Sequence, residues 1–478
     1  MPVNDFHCRC IYDILDGLRE GLSLFSGTSR VAMIYAVAAD DPLRVCDPQG
    51  LLDGHQPRFR ELFVDSGDWR LPPVAMARLR RFDQILTEKD LGLAGRISFG
   101  GRSASMYYQM WFTEHHPDMC AVGPTGRWLE HAVYRLSHDV ANAKELYTGI
   151  SGAFLREYAT HAVRDFIIDE MGQALGMDTR LRIYPILDAV LGISRTLEEG
   201  AWARGKLMFV EPSAMQSVVF AARFPEAERP LLDNFKHVRK LLTSVEFSPR
   251  ILVSDGRAIV GIARGAPPRF NIVADFRGGY GLLRLNGEKI CSFANGRFLS
   301  TTHRAKLVQV EEILLESRLD PEVRDALFKT INDIVHTAES GKYGCTLVID
   351  LNRRPVSISG QRLEAPLDLR APENLSLAQS LAKVDGALHI GADVKLHAFA
   401  CLLDGRAIAG EDRARGARYN SALRFTAARP GLMIVVVSSD RPVSVIQEGV
   451  ELSAHCPLDA VSACVAVPPT LERWVAGD

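Results

Sequence analysis

The chain has 478 residues, 47% of them apolar and 24% charged, with 56 basic against 58 acidic side chains and a net charge of −2. This length implies two or three domains, and the near-neutral balance argues against a general nucleic-acid binder, which would show a basic excess or stripe. No apolar run reaches the roughly 18–20 residues of a spanning helix, and the opening "MPVNDFHCRCIYDILDG" lacks the charged-then-apolar layout of a signal peptide. The expected location is therefore the cytoplasm, with no membrane partner.

Residues 1–235 read as a mainly helical region. "GRWLEHAVYRLSHDVANAKELY" places Leu129, Ala132, Val133, Leu136, Val140 and Ala143 on one helical face, and "REYATHAVRDFIIDEMGQAL" continues in the same style up to Gly176. "DTRLRIYPILDAVLGI" and "SRTLEEGAWARGKLMF" suggest further helices or short strands. "RFPEAERPLLDN", rich in Pro and charge, reads as a junction. Beyond it, residues 236–318 read as a small antiparallel β-rich module, with hairpin turns at Asp255-Gly256 and Asn286-Gly287. Residues 319–465 form a third part. A helix is expected from Asp320 as N-cap and Pro321 at its first position to Gly341, burying Val323, Leu327, Ile331, Ile334 and Val335. The strands "CTLVID", "DGALHI", "VKLHAFACLL", "LMIVVVSS" and "VSVI" follow. Several are apolar on both faces, as in a sheet covered by helices on each side. The fold class expected is α/β (α+β), with a C-terminal mixed central sheet flanked by helices.

Several stretches look chemical and read more simply as structure. "GLLRLNGEK" from Gly281 lacks the spacing and the Gly-Lys-Ser/Thr end of a phosphate loop and reads as a turn. Ser151 in "TGISGAF" has no nucleophile-elbow glycine pattern. His115, His116, Asp118 and Cys120 read as a polar loop, with metal binding or ligand sensing as the alternatives. His7, Cys8 and Cys10 lack a second pair of metal ligands. The nine cysteines follow no regular framework, which fits reduced, buried thiols such as Cys345 and Cys401.

Two stretches of the third part suit one chemistry. Asp385 precedes Gly386 and Ala387 at the mouth of an apolar strand, where small residues let a ligand lie against the backbone. It reads either as a turn aspartate or as a carboxylate that meets a divalent metal. Between Cys401 and Pro430 there are six arginines, three acids and no lysine. Arginine forks suit phosphate oxygens, Asn420 and Ser421 add neutral donors, and Gly416 lets backbone N–H groups approach an anion ahead of the expected helix "SALRFTAAR". A solvated helix face explains Arg424 and Arg429 but not the run from Gly416 to Ser421.

In order and spacing, "GCTLVID" at 344–350, "DGALHI" at 385–390, "GARYNSA" at 416–422 and "VVVSSD" at 435–440 resemble the diadenylate cyclase domain, the nucleotide-binding domain of the DNA-integrity scanning protein family. The resemblance covers residues 320 to about 455. It implies a cytoplasmic enzyme that joins two ATP molecules into cyclic di-AMP and pyrophosphate, working as a homodimer or higher homo-oligomer with C-terminal domains face to face. It implies Asp385 as the catalytic residue and the ligand of Mg²⁺ or Mn²⁺. Gly386, Ala387, Leu388, Gly416, Arg418, Tyr419, Asn420 and Ser421 are implied as nucleotide-binding. Residues 1–235 resemble the variable sensory part of some members. There His115, His116, His131, His161, Tyr107, Tyr108, Trp111 and Trp128 are candidates for a ligand pocket, and the simpler reading of most is core or loop. Where the family commonly has Thr-Arg-His-Arg, this chain has Ala417-Arg418-Tyr419-Asn420, so a hydroxyl, an imidazole and a guanidinium are missing. Arg413 and Arg415 are positioned to compensate. The alternative is a catalytically inactive nucleotide or cyclic-dinucleotide binding sensor.

Overall fold

Helical stripes and two-faced apolar strands close their cores separately in two compact units, residues 1–303 with 458–478, and residues 304–457. The computed structural model describes residues 5–26, 29–38, 40–66, 69, 86–88, 91–102, 106–114, 119–141, 147–176, 178–198, 200–301, 307–341, 343–408, 415–438, 443–452 and 467–477. His115, His116, Asp118, Ala143, Arg413 and Asp440 lie outside them.

In the first unit the helix Val122–Ala141 buries Leu129, Ala132, Val133 and Leu136 as its spacing predicts. The helix Ala159–Leu175 ends at Gly176, whose φ is 81°. Beside these helices stands a five-stranded antiparallel sheet in the order Arg44–Cys46, Val31–Ala36, Tyr108–Glu114, Arg96–Arg102, Leu86–Glu88. Trp111, Trp128 and Tyr108 are core residues. His131 and His161 flank the Tyr158 ring, with centroids 4.2 and 5.7 Å away.

The β-rich stretch is part of a larger sheet than residues 236–318 supply. Its eight strands run in the order Arg297–Leu299, Glu288–Ala294, Tyr280–Leu285, Ile272–Arg277, Arg204–Phe209, Ile251–Ser254, Ile259–Ala263, Phe220–Arg223. Arg204–Phe209 pairs parallel with Ile251–Ser254, so the sheet is mixed and takes strands from both sides of residue 235. A short apolar run such as "KLMF" does not reveal by its periodicity which sheet it joins. Gly281 lies in a strand ahead of the Asn286–Gly287 turn (φ 52° and 92°), and Ser151 is buried at the start of the helix Ser151–Arg156. Cys10, Cys46, Cys120, Cys291, Cys345 and Cys401 carry thiols rather than disulfides.

The second unit contains, in chain order, α1 (Val308–Glu316), α2 (Pro321–Ser340), β1 (Cys345–Asp350), β2 (Gln361–Asp368), α3 (Pro372–Leu381), β3 (Ala387–Gly391), β4 (Lys395–Cys401), α4 (Ala417–Ala427), β5 (Leu432–Val437), β6 (Ser444–Gln447) and β7 (Val450–Glu451). The sheet order is β2-β4-β3-β1-β5-β6-β7. β1 and β3 are parallel, with Thr346 opposite Ala387, and β5 runs antiparallel to β1, with Val437 opposite Cys345. Alternate residues of β1 feed two layers. Leu347 and Ile349 pack with Leu327, Ile331 and Ile334 of α2 and Ala378 of α3. Val348 packs with Ala422 and Phe425 of α4. A sheet covered on both faces needs strands apolar on both faces, as the sequence pattern indicated. Among the described residues no helix is long and apolar enough to cross a membrane.

Candidate functional site

The cleft forms at the end of the sheet where β1, β3 and β6 begin and β5 ends. Gly386 makes the bend into β3 with φ 106°, and a Cβ there would lie 2.5 Å from the Ala400 carbonyl carbon. Both features demand glycine. Gly386→Ala should cost about 2–4 kcal/mol from backbone strain plus overpacking, read as a lowered denaturation midpoint of the second unit.

Helix α4 begins at Ala417, ahead of the start expected at Ser421. Gly416 is its N-cap, and the Gly416 carbonyl accepts the Asn420 N–H at 3.2 Å. Arg418 and Tyr419 thus stand in the first turn. There the backbone N–H groups lack helical partners and the dipole favours an anion.

The cleft has a volume of about 420 Å³, within the roughly 300–1,000 Å³ of small-molecule sites. Its walls are Gly344, Asp385 and Gly386, then Arg415 to Tyr419, then Val436 to Ser438 and Ser444. The structure therefore brings Asp385, Gly386, Gly416, Arg418 and Tyr419 together. Ala387 and Leu388 do not line the cleft; they are buried in β3, in opposite layers of the core. Asn420 and Ser421 do not line it either: at 3.6 residues per turn Asn420 is turned to the far side of α4 from Arg418, and Ser421 stands almost a full turn further into the helix.

Asp385 is fully exposed, and one of its oxygens lies 3.4 Å from Nη2 of the half-exposed Arg418. A pair this long and wet is weak and easily exchanged for other partners. The opposite wall is tighter. Nη2 of Arg415 donates to Oγ of Ser444 at 3.0 Å and to Oε1 of Glu451 at 2.8 Å, while the Tyr419 hydroxyl donates to Oε2 of Glu451 at 3.1 Å. Partial burial alone would raise the Glu451 carboxyl, but hydrogen bonds from Ser444, Arg415 and Tyr419 hold it below the usual range. Burial pushes the Cys345 thiol up to about 12 even though the Arg418 charge opposes the rise, so it stays a neutral core thiol beside the cleft. Sequence reasoning missed Ser444 and Glu451. Glu451 meets Arg415 across 36 residues of chain, and no local pattern marks such a contact.

Asp385 offers solvent-facing carboxylate oxygens, the hard donors that Mg²⁺ and Mn²⁺ take. Among the described residues no group of three or more His, Cys, Asp or Glu could hold an ion. A lone carboxylate fits a cation shared with substrate phosphates.

A helix N-terminus, two arginines and an exposed carboxylate around one cleft define an α/β domain built to receive an anion. Residues 332–450, which contain all of these groups, match the family described as "DisA bacterial checkpoint controller nucleotide-binding". Residues 5–177 match "Probable sensor domain DACND" and residues 184–291 match "Probable sensor domain DACNH". The chain thus carries a nucleotide-binding domain of this family, about a quarter of its length, behind two stretches that match sensor-type domains. No curated protein matches the chain. Among solved structures, a hypothetical membrane spanning protein from Bacillus cereus is 18% identical over 30% of this chain and 72% of its own, with a TM-score of 0.23. A double mutant of DacA from Staphylococcus aureus is 16% identical over 26% of this chain and 84% of its own, with a TM-score of 0.21. Scores this low place no residue of this chain.

Proposed function

We propose that the chain condenses two ATP molecules into cyclic di-AMP in the cytoplasm, with residues 1–235 regulating the reaction. The observation that supports this reading is the single cleft shared by Asp385-Gly386 and the Gly416–Tyr419 turn. The 3′-hydroxyl oxygen of each nucleotide attacks the α-phosphorus of the other. In each of the two attacks one P–O bond forms, the bond from the α-phosphorus to the bridging oxygen breaks, one pyrophosphate leaves, and the hydroxyl proton passes to solvent. Arg418 and Asp385 face each other in the cleft. On nucleotide entry Arg418 turns to the phosphates, joined by the N–H groups of the first turn of α4. Asp385 would be the residue that holds Mg²⁺ or Mn²⁺, and the ion would supply the charge that lowers the pKa of the attacking hydroxyl and offsets that of the phosphates. One cleft supplies half of a site, so two copies must meet about a two-fold axis with their clefts opposed.

Incubating the purified protein with ATP and Mg²⁺ or Mn²⁺ should yield cyclic di-AMP, measured by chromatography and mass. ATP binding without any product would favour the alternative, a nucleotide or cyclic-dinucleotide sensor that has lost catalysis with the motif's imidazole and second guanidinium.

A further inference from the structure

The cleft wall beside Arg418 depends on a residue that lines no part of it. Glu451 takes the Arg415 guanidinium on one oxygen and the Tyr419 hydroxyl on the other. Cζ of Arg415 lies 4.1 Å from the centroid of the Tyr419 ring, so guanidinium and phenol form a stacked cation–π pair pinned by one carboxylate. The turn that delivers Glu451 is itself constrained. Glu448 and Gly449 between β6 and β7 both have positive φ, 50° and 76°. The Gly449 N–H donates to Oγ1 of Thr426 at 3.1 Å, which fastens the hairpin to α4, the helix that carries Tyr419.

We propose that Glu451 is a positioning residue of the nucleotide cleft, holding Arg415 so that it replaces the guanidinium missing at Asn420 as the second cation facing the phosphates. This rests on the nucleotide-binding reading of the cleft. Asn420 is buried and off the cleft, whereas Arg415 lies on the wall next to Gly416. A guanidinium already ordered by a carboxylate, a hydroxyl and a ring loses less freedom when a phosphate arrives.

Calorimetry of the full chain with ATP and Mg²⁺ tests this. Glu451→Ala should weaken ATP binding about tenfold, the scale of a charge-assisted contact, with Glu451→Gln in between and the melting temperature of each variant near that of the parent. Arg415→Ala should weaken binding at least as much, and Arg415→Ala combined with Glu451→Ala should bind no worse than Arg415→Ala alone, because the carboxylate acts through the arginine. Additive losses, or unchanged affinity in Glu451→Ala, overturn the proposal. Binding does not require turnover, so the coupling between 415 and 451 can hold even if no cyclic di-AMP is ever formed. If the parent chain binds no ATP, both this proposal and the nucleotide reading fall.

Discussion

Asp385→Asn is expected to abolish measurable cyclic di-AMP synthesis, lowering kcat by about 10²–10³-fold, while ATP binding stays within a few-fold of the parent. The argument follows from exposure and charge. The Asp385 side chain is fully exposed and its ion pair with Arg418 is long, so the fold does not depend on it and the melting temperature should not move. Asparagine keeps the shape and one oxygen but removes the negative charge, and with it the affinity for a hard divalent cation. The same change releases Arg418 from its ion pair with residue 385, which helps it reach phosphate. Affinity and turnover therefore part in opposite directions. Single-turnover assays with radiolabelled ATP, alongside calorimetry, separate the two. A variant that binds ATP poorly yet turns over the fraction bound at the parent rate would assign Asp385 to binding rather than to the chemical step.

The parts of this molecule legible in the sequence are those whose signal is local. The helix α2 announced itself by Pro321 and a regular apolar stripe, and β1, β3 and β5 by short runs of Val, Ile and Leu. Asp385, Gly386 and Arg418 stood out because each belongs to a compact motif that folds as one turn. The edge strand β2 gave no such signal. Its residues are mostly exposed or half-buried, and an edge strand with water on it need not alternate. The eight-stranded sheet was only half legible because parallel pairing of Arg204–Phe209 with Ile251–Ser254 joins segments some forty residues apart. The start of α4 was read late because Ala417 to Asn420 look like a charged loop, and it is the φ of Gly416 that places the helix start there. For the same reason Asn420 and Ser421 looked like phosphate donors in the sequence and stand off the cleft in the structure.

The largest loss of stability is expected from Asp350→Ala. Asp350 is fully buried at the end of β1. One of its oxygens accepts the backbone and side-chain N–H groups of Asn352 at 3.0 and 2.8 Å. The other accepts the Val356 N–H at 2.7 Å and lies 3.0 Å from Nε2 of the buried His389. Removing the carboxylate strands these donors in a closed space and leaves a void, at a cost of about 3–5 kcal/mol. For a unit of this size that corresponds to roughly 10 °C in melting temperature. The readout can be assigned to the right unit. All five tryptophans, Trp69, Trp111, Trp128, Trp202 and Trp474, belong to the first unit. The far-UV circular dichroism of the variant should therefore show an early transition that tryptophan emission does not follow. The pH dependence has a definite sign. Burial alone would raise the Asp350 carboxyl, but hydrogen bonds from His389, Val356 and Asn352 outweigh it and hold the folded value below the ordinary one. A depressed carboxylate contributes stability that is fully present above its unfolded value, about 3.9, and is lost as pH falls through the folded value. The parent should thus lose stability on acidification below about pH 4, and the gap between parent and Asp350→Ala should narrow there. A gap that stayed constant from pH 7 to pH 3, or a common transition in tryptophan emission and circular dichroism at every pH, would show that Asp350 does not anchor the second unit in this way.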